Sequence, residues 1–559
     1  MTHDNKMNIY QVLPRLFGNE NTTNKPHGTL EENGCGKLND FTPKALQAIK
    51  KLGITHVWYT GVIEHATQTD YSTLGIALDH KSIVKGIAGS PYAIKDYYDI
   101  DPDLAVDVNN RMKEFEAMIE RTHKAELKVI IDFVPNHVAR QYKSDAKPGK
   151  TKDLGQGDRT DWNFSQQNNF YYISNEAFNP QFDVDGYEEF PAKVTGNDQF
   201  TASPSITDWY ETVKLNYGVD YMGGREKYFD PVPDTWTKMR DILLFWAKKK
   251  VDGFRCDMAE MVPVEFWGWA IQQVKEKFPH VIFIAEVYNP DEYRNYIYNG
   301  KFDFLYDKVG LYDTLRAVTQ GQASVGSITN CWQAVNDIQT HMLNFLENHD
   351  EQRVASDFFA GKPENALPAV IISATLSNSP FMTYSGQELG ERGMDTEGFS
   401  GLDGRTSIFD YWSVNSIRNW HNNGKLNQEK LTADQQQLQS FYQKLLTLRL
   451  KEKALSEGTF YDLMWVNYEN PNFNPEKQYT FFRQCENDLL LIVVNFDDQD
   501  VTLGIHIPLH ALDFLNLPAE KAVKCVDLLS GEKTTGILSA QKLFNVGIKR
   551  KNGVILKIK

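Results

Sequence analysis

An alternation constrains this chain more than any other feature. Short apolar runs of strand length are separated by stretches of helical periodicity across roughly the first two thirds of the sequence. The runs are Asn8–Leu13, Ile54–Tyr59, Leu127–Val134, Val251–Met258, His280–Val287, Phe302–Tyr306, Met342–Glu347 and Phe381–Ser385. Between them Lys44–Leu52, Arg111–Ala125, Asp234–Lys249, Val264–Lys277 and Asn365–Ser377 read as helices. Continuously apolar strands alternating with helices are covered on both faces, which predicts a parallel sheet. Eight such strands can close on themselves, so the expected fold class is α/β, a (β/α)8 TIM barrel.

Two segments break the alternation. Residues 138–230 carry little helical periodicity and are rich in Gly, Asn, Asp and aromatics, including Trp162, Phe164, Phe170, Tyr171, Tyr172, Trp209 and Tyr210. So long a structureless loop does not fit a compact domain. The segment therefore reads as a domain inserted after the third strand. Beyond a helix around Gln436–Leu450, residues 457–559 lose helical character. The runs Gln478–Phe482, Leu489–Asn495, Val501–Ile507 and Val554–Ile558 predict an antiparallel β-domain there. Residues 1–137 and 231–456 are left for the barrel.

Charge and cysteine usage narrow the partners. The chain has 559 residues, with 59 Lys and Arg against 74 Asp and Glu, a formal charge of −15. No broad positive field exists to draw in nucleic acid or an anionic membrane. No run approaches the ~18 apolar residues of a spanning helix. Cys35, Cys256, Cys331, Cys485 and Cys525 are far apart and form no C-x-x-C pair, so neither a zinc cluster nor a disulfide framework is expected. Isolated thiols suit a reducing compartment. The N-terminus enters an apolar run without a leader pattern. The expected location is the cytoplasm, or the periplasm or exterior if a leader has been removed. Nothing in the sequence sets the oligomeric state.

In a parallel barrel the chemistry belongs at the C-terminal ends of the strands. The third strand ends in Asp132, Asn136 and His137, the fourth in Arg255 and Asp257, the fifth in Glu286, and the seventh in Glu347, Asn348, His349 and Asp350. Unpaired charge closing an apolar run is costly. Strand alternation puts Arg255 and Asp257 on one face and Phe254, Cys256 and Met258 on the other, against the outer helices. Arg255 would then keep Asp257 ionised, as a nucleophile requires. Glu286, ending an apolar run, would be raised and hold a proton. One ionised and one protonated carboxyl is the requirement of retaining glycoside hydrolysis. Each feature alone has a plain structural reading: an ion pair for Arg255 and Asp257, a helix-start acid for Glu286, turn chemistry for Asp132 to His137, a core histidine for His349. Their joint occurrence on four strand ends favours a site.

These same segments resemble the signatures of the α-amylase superfamily of glycoside hydrolases. Asp132-Phe133-Val134-Pro135-Asn136-His137 is similar to the first, Gly253-Phe254-Arg255-Cys256-Asp257 to the second, Ala285-Glu286-Val287 to the third and Phe345-Leu346-Glu347-Asn348-His349-Asp350 to the fourth. Ile9-Tyr10-Gln11-Val12 fits the family's first strand and Pro380 to Glu388 its eighth. The resemblance implies Asp257 as nucleophile, Glu286 as general acid/base and Asp350 as transition-state stabiliser. It implies Arg255, His137 and His349 as sugar ligands, Tyr92 as a stacking platform, and Asp132 and Asn348 in support. It makes the insertion a B domain and the C-terminal domain a β-sandwich. It implies cleavage of α-1,4 bonds in starch- or glycogen-derived saccharides, with an α-glucan as partner and no cofactor for the chemistry.

Three places depart from the family pattern. Met258-Ala259-Glu260-Met261 stands where many members carry a Lys-His pair that binds glucan and helps hold calcium. Lys214-Leu215-Asn216 stands where many carry a signature with an Asp. Asn136 matches the family's calcium asparagine, and a structural calcium or simple orientation of the loop are both open readings of it. Arg405 after the eighth strand is a further candidate sugar ligand. A glucanotransferase using the same intermediate is the alternative function. An inactive glycan-binding or partner subunit would be expected to have lost Asp257 or Glu286, and both are present.

Overall fold

The computed structural model describes residues 6–559; the first five residues, which contribute to the reading of the N-terminus, lie outside them. All eight expected strands form and close into one parallel barrel. They are β1 (Asn8–Val12), β2 (His56–Tyr59), β3 (Lys128–Phe133), β4 (Gly253–Cys256), β5 (Ile282–Ala285), β6 (Phe304–Tyr306), β7 (Met342–Phe345) and β8 (Phe381–Tyr384). Each strand pairs with its sequence neighbours, and β1 closes the ring against β8. The barrel fold read from the alternation is therefore the observed one.

The flanking helices follow from local rules. Helix α1 (Pro43–Lys51) starts at Thr42, whose hydroxyl accepts from Ala45 N, with Pro43 inside the first turn and Lys50 and Lys51 at the dipole's negative end. Helices α2 (Arg111–Lys124), α3 (Asp234–Lys248) and α4 (Val264–Lys277) each bury one stripe, such as Phe266, Trp267, Ala270, Ile271 and Val274 of α4. Helix α5 (Leu367–Thr375) is buried on every side, and α6 (Ala433–Lys451) follows it around the ring. No helix among the described residues is long and apolar enough to cross a membrane.

Between β2 and α2 the chain makes an excursion that the alternation did not announce. Ile63–His65 pairs antiparallel with Ile94–Ile100. Beyond β3, His137–Ala139 pairs with Thr212–Lys214, Tyr172–Ile173 with Ala192–Lys193, and Val219–Asp220 with Glu226–Lys227. Tyr171, Ile173, Phe178, Ala192, Val194 and Ala202 form a small core there, joined by Ile83 from the excursion.

After α6 come β9 (Thr459–Asp462), β10 (Gln478–Cys485), β11 (Asp488–Asn495), β12 (Val501–Ile505), β13 (Glu520–Asp527), β14 (Lys533–Ser539), β15 (Phe544–Ile548) and β16 (Asn552–Ile558). Six of them form an antiparallel sheet in the order β9-β10-β11-β16-β13-β14, and β12 pairs with β15 in a second sheet. One continuous apolar core runs from Met7 to Ile558. Gly553 of β16 lies so close to α5 that a Cβ there would come within 2.9 Å of Ile371.

Candidate active site

The barrel ladder carries two acids to its rim. Asp257 N donates to Phe133 O, and Glu286 N donates to Cys256 O. Both side chains therefore leave from the C-terminal edge, one step past the last paired residues of β4 and β5. Between them lies Arg255, fully buried. Its Nη1 is 2.6 Å from Asp257 Oδ1, and its Nη2 is 2.8 Å from Glu286 Oε2. Asp132, its register partner on β3, is 3.6 Å away. Nε donates to Tyr306 OH at 3.1 Å, and the guanidinium sits 5.3–5.6 Å from the rings of Trp58, Tyr92 and Tyr306. A lone buried guanidinium would cost several kcal/mol, so this cation needs its acids.

There are more acids than the cation can neutralise, and the proton affinities show it. Burial pushes the Asp257 carboxyl well above its ordinary range; Arg255 opposes, and Glu286 and Asp350 push the same way as burial. Arg255 favours the ionised form of Asp257, but one guanidinium is divided among several carboxylates and does not outweigh burial. Asp350 behaves oppositely. Burial raises it, but His349, Arg255 and Arg405 hold it down at about 2.

The remaining positions converge on the same place. Asp132 accepts from Trp58 Nε1 and Gly61 N, each at 3.1 Å, and from Tyr92 OH at 3.3 Å. Asn348 accepts from the backbone of Asp350 and Glu351, folding the loop that presents Asp350. His349 stacks on Tyr92 with ring centres 5.0 Å apart. Its Nδ1 receives the Gln11 side-chain amide at 2.8 Å, so Nε2 carries the proton and faces Asp350 Oδ2 at 3.0 Å. His137 is buried against Trp209; burial, then Lys214 and Lys85, lower it to about 3, so its ring is neutral. Tyr92, His137, Asp257, Glu286 and Asp350 all line one cavity of about 360 Å³. Glu347 points away from it and pairs with Arg353 at 2.9 Å.

Some readings change. Met258 does not join the face packed on the helices. The strand ends at Cys256, Met258 turns to φ 42°, and it lines the cavity while its N–H donates to Glu286 Oε2 at 2.9 Å. Arg405 pairs with Asp403 at 2.5 Å, and its charge also reaches Asp350. Asn136 does not present a free oxygen: Oδ1 accepts from Lys214 Nζ at 2.8 Å, and Nδ2 donates to Gly196 O at 2.7 Å. Burial pulls Lys214 below its ordinary range and Asp198 opposes this. A donor set containing an ammonium does not suit a divalent cation. Glu64, Asp96 and Asp99 also bring carboxylate oxygens within 4.8 Å of one another, but away from this cavity.

Several contributors were not singled out from sequence. Tyr288 OH donates to Glu286 Oε1 at 2.5 Å, and Tyr306 ends β6 beside Arg255. Both obey the strand-end rule and could have been found by it. Lys85, Trp209, Glu211, Ile408 and Phe409 reach the cavity from segments with no periodicity to betray them.

Residues 11–458 match the family model of the α-amylase catalytic domain. An α-amylase of Haloarcula japonica, MalA, is 24 % identical over 502 residues, which cover 89 % of this chain and 56 % of that protein. α-Amylase 3 of Dictyoglomus thermophilum is 24 % identical over 536 residues, covering 92 % of this chain and 90 % of its own. The crystal structure of a maltogenic α-amylase, AmyB, from Thermotoga neapolitana superposes with a TM-score of 0.65 at 20 % identity, over 99 % of this chain and 98 % of that one. The matched segment contains seven of the eight barrel strands whole and every carboxylate on the cavity, and the chain belongs to the α-amylase catalytic-domain family.

Proposed function

We propose that the chain is a retaining α-glucan hydrolase that cleaves α-1,4-glucosidic bonds through a covalent glycosyl-enzyme intermediate. One observation carries the reading. Asp257 and Glu286, from adjacent strands, hold the two terminal nitrogens of a single guanidinium at the mouth of one cavity. Two carboxyls tethered to one small cation are close together, as the retaining route requires at ~5–5.5 Å. The α-amylases among the relatives support an α-glucan as substrate.

In the first step the Glu286 carboxyl gives its proton to the glycosidic oxygen while the ionised Asp257 attacks the anomeric carbon. The carbon–oxygen bond breaks, its electrons stay on the departing sugar, and an Asp257 ester forms. Glu286, now a carboxylate, takes a proton from water as that water attacks the same carbon and releases Asp257. This step requires the proton on Glu286 and an ionised Asp257, the form that Arg255 favours. Asp350, held low, stays ionised against the positive charge that develops on the sugar ring. Tyr92, on the cavity wall, supports that ring, neutral His137 binds its hydroxyls, and His349, whose Nε2–H faces Asp350, holds that carboxylate against the same ring.

Incubating the chain with maltoheptaose tests this. Shorter products released with the α-configuration, read by chromatography and NMR, support it. No cleavage overturns it. Products longer than the substrate assign the same intermediate to a glucanotransferase.

A further inference from the structure

We propose that the ammonium of Lys214 is the resident cation at the junction of the barrel and the inserted segment, taking the place of a divalent metal. The junction is built around one point. The Lys214 side chain is 2 % exposed. Its Nζ lies 2.8 Å from Asn136 Oδ1, on the loop after β3, and 2.6 Å from Asp198 Oδ1, in the insertion. The Tyr221 ring covers it at 5.3 Å. One positive charge is thus met by one carboxylate, one amide oxygen and one aromatic face.

The backbone around Lys214 is held on several sides. Lys214 is fixed in position by its backbone, paired with His137 across the antiparallel ladder, and Lys214 N donates to Val194 O at 2.9 Å. Asn136 Nδ2 donates to Gly196 O at 2.7 Å, closing the turn that carries Asp198. That turn is pressed onto the barrel: a Cβ on Gly196 would meet Thr212 Oγ1 at 2.4 Å and His137 Cβ at 2.9 Å. Calcium would need six to eight oxygens at ~2.3–2.6 Å. Here the amide oxygen and the carboxylate already serve an ammonium, and a second cation beside it would be repelled. The lysine ties the same two parts of the chain together that a bridging metal would tie.

Thermal unfolding of the full chain tests this, with its metal content measured by mass spectrometry. The expected result is the same Tm after exhaustive dialysis against EDTA as with millimolar calcium, and no stoichiometric divalent metal in the purified protein. Lys214→Met is expected to lower Tm by several degrees. Lys214→Asn, which replaces the ammonium with an oxygen, is expected to regain part of that loss on adding calcium. Stoichiometric calcium in the parent chain, a Tm that falls on chelation and returns with calcium, or a Lys214→Met chain of unchanged Tm would each overturn the proposal. If the variants do not fold, the metal content and chelation response of the parent chain still decide it. None of these readouts depends on turnover.

Discussion

The two ends of the barrel both bury guanidinium groups, and they satisfy them in opposite ways. At the C-terminal end Arg255 is met by Asp257, Glu286 and Asp132. At the N-terminal end Arg449 and Arg483 meet neutral oxygens. Arg449 donates to Asn8 Oδ1 at 2.8 Å, to Ser379 O at 2.7 Å and to Ala374 O. Arg483, on β10, donates to Thr375 O at 3.0 Å, Gly458 O at 3.1 Å and Asn378 Oδ1. Ala374 and Thr375 end helix α5, so the two arginines sit at the negative end of its dipole. The acid-rich end pushes Arg255 well above its usual range; burial without acids pulls Arg449 and Arg483 below theirs. Carboxylates in excess leave protons and charge to exchange, which suits chemistry. Carbonyls cannot titrate, which suits the docking of the C-terminal sheet on the barrel floor.

The largest effects should appear at the acid-rich end. Asp257→Asn is expected to lower kcat by on the order of 10⁴-fold or more, as loss of a nucleophile does. Glu286→Gln should cost ~10²–10⁴-fold, the usual worth of a general acid/base. Both are isosteric at the rim, so circular dichroism and Tm should stay near those of the parent. Near-parental turnover in either variant would remove the difference between the two ends. Arg449→Met and Arg483→Met are the mirror experiment. Each orphans buried carbonyls and should cost ~1–3 kcal/mol of stability by denaturant unfolding, with kcat/KM of the folded enzyme unchanged. A gain in stability would mean that the unpaired charge, and not its hydrogen bonds, dominates that end.

The barrel was legible because its strands are short, apolar on both faces and separated by helical periods. The acids were legible because each interrupts such a run. The pair Ile63–His65 and Ile94–Ile100 was not, because the second strand buries Lys95, Asp96 and Asp99 and therefore looks polar. Those charges are paid for by partners distant in sequence, such as Asp79 for Lys95 at 2.9 Å and Arg111 for Asp99 at 2.5 Å. Strands β13 and β14 escaped notice for a different reason. They lie at or next to a sheet edge, are largely exposed, and carry Lys521, Lys524 and Lys533 there. The proton affinity of Asp257 could not be read either, because it depends on how many carboxylates share Arg255, and that is a matter of three dimensions.

Tyr288 sharpens the comparison from within the acid-rich end. Its hydroxyl donates to Glu286 Oε1 at 2.5 Å, while Oε2 is held by Arg255 and Met258 N. Tyr288→Phe leaves the guanidinium and the other acids in place and removes one neutral donor. The expected loss in kcat/KM is about tenfold, the scale of a single hydrogen bond to a carboxylate. A loss as large as that of Glu286→Gln would make the phenol itself part of the proton path.

Glu64 is a buried carboxyl with neither solution. It is 1 % exposed, and neither carboxylate oxygen has a hydrogen-bond partner. Asp96 and Asp99 are close by but already engaged, Asp96 by Ser144 Oγ at 2.6 Å and Asp99 by Arg111. Burial, then the repulsion of Asp96 and Asp99, pushes the Glu64 carboxyl up to about 9. The unfolded chain gives up this proton in the ordinary glutamate range, near ~4.3. Between those two values the folded chain binds more protons than the unfolded one, so stability falls as pH rises. The slope has a ceiling of about 1.4 kcal/mol for each pH unit. Glu64→Gln keeps the shape and removes the titration. Its Tm should stay closest to that of the parent below about pH 4 and exceed it by a widening margin from there toward about pH 9. Parallel Tm–pH curves for the two chains would mean that Glu64 has a partner after all.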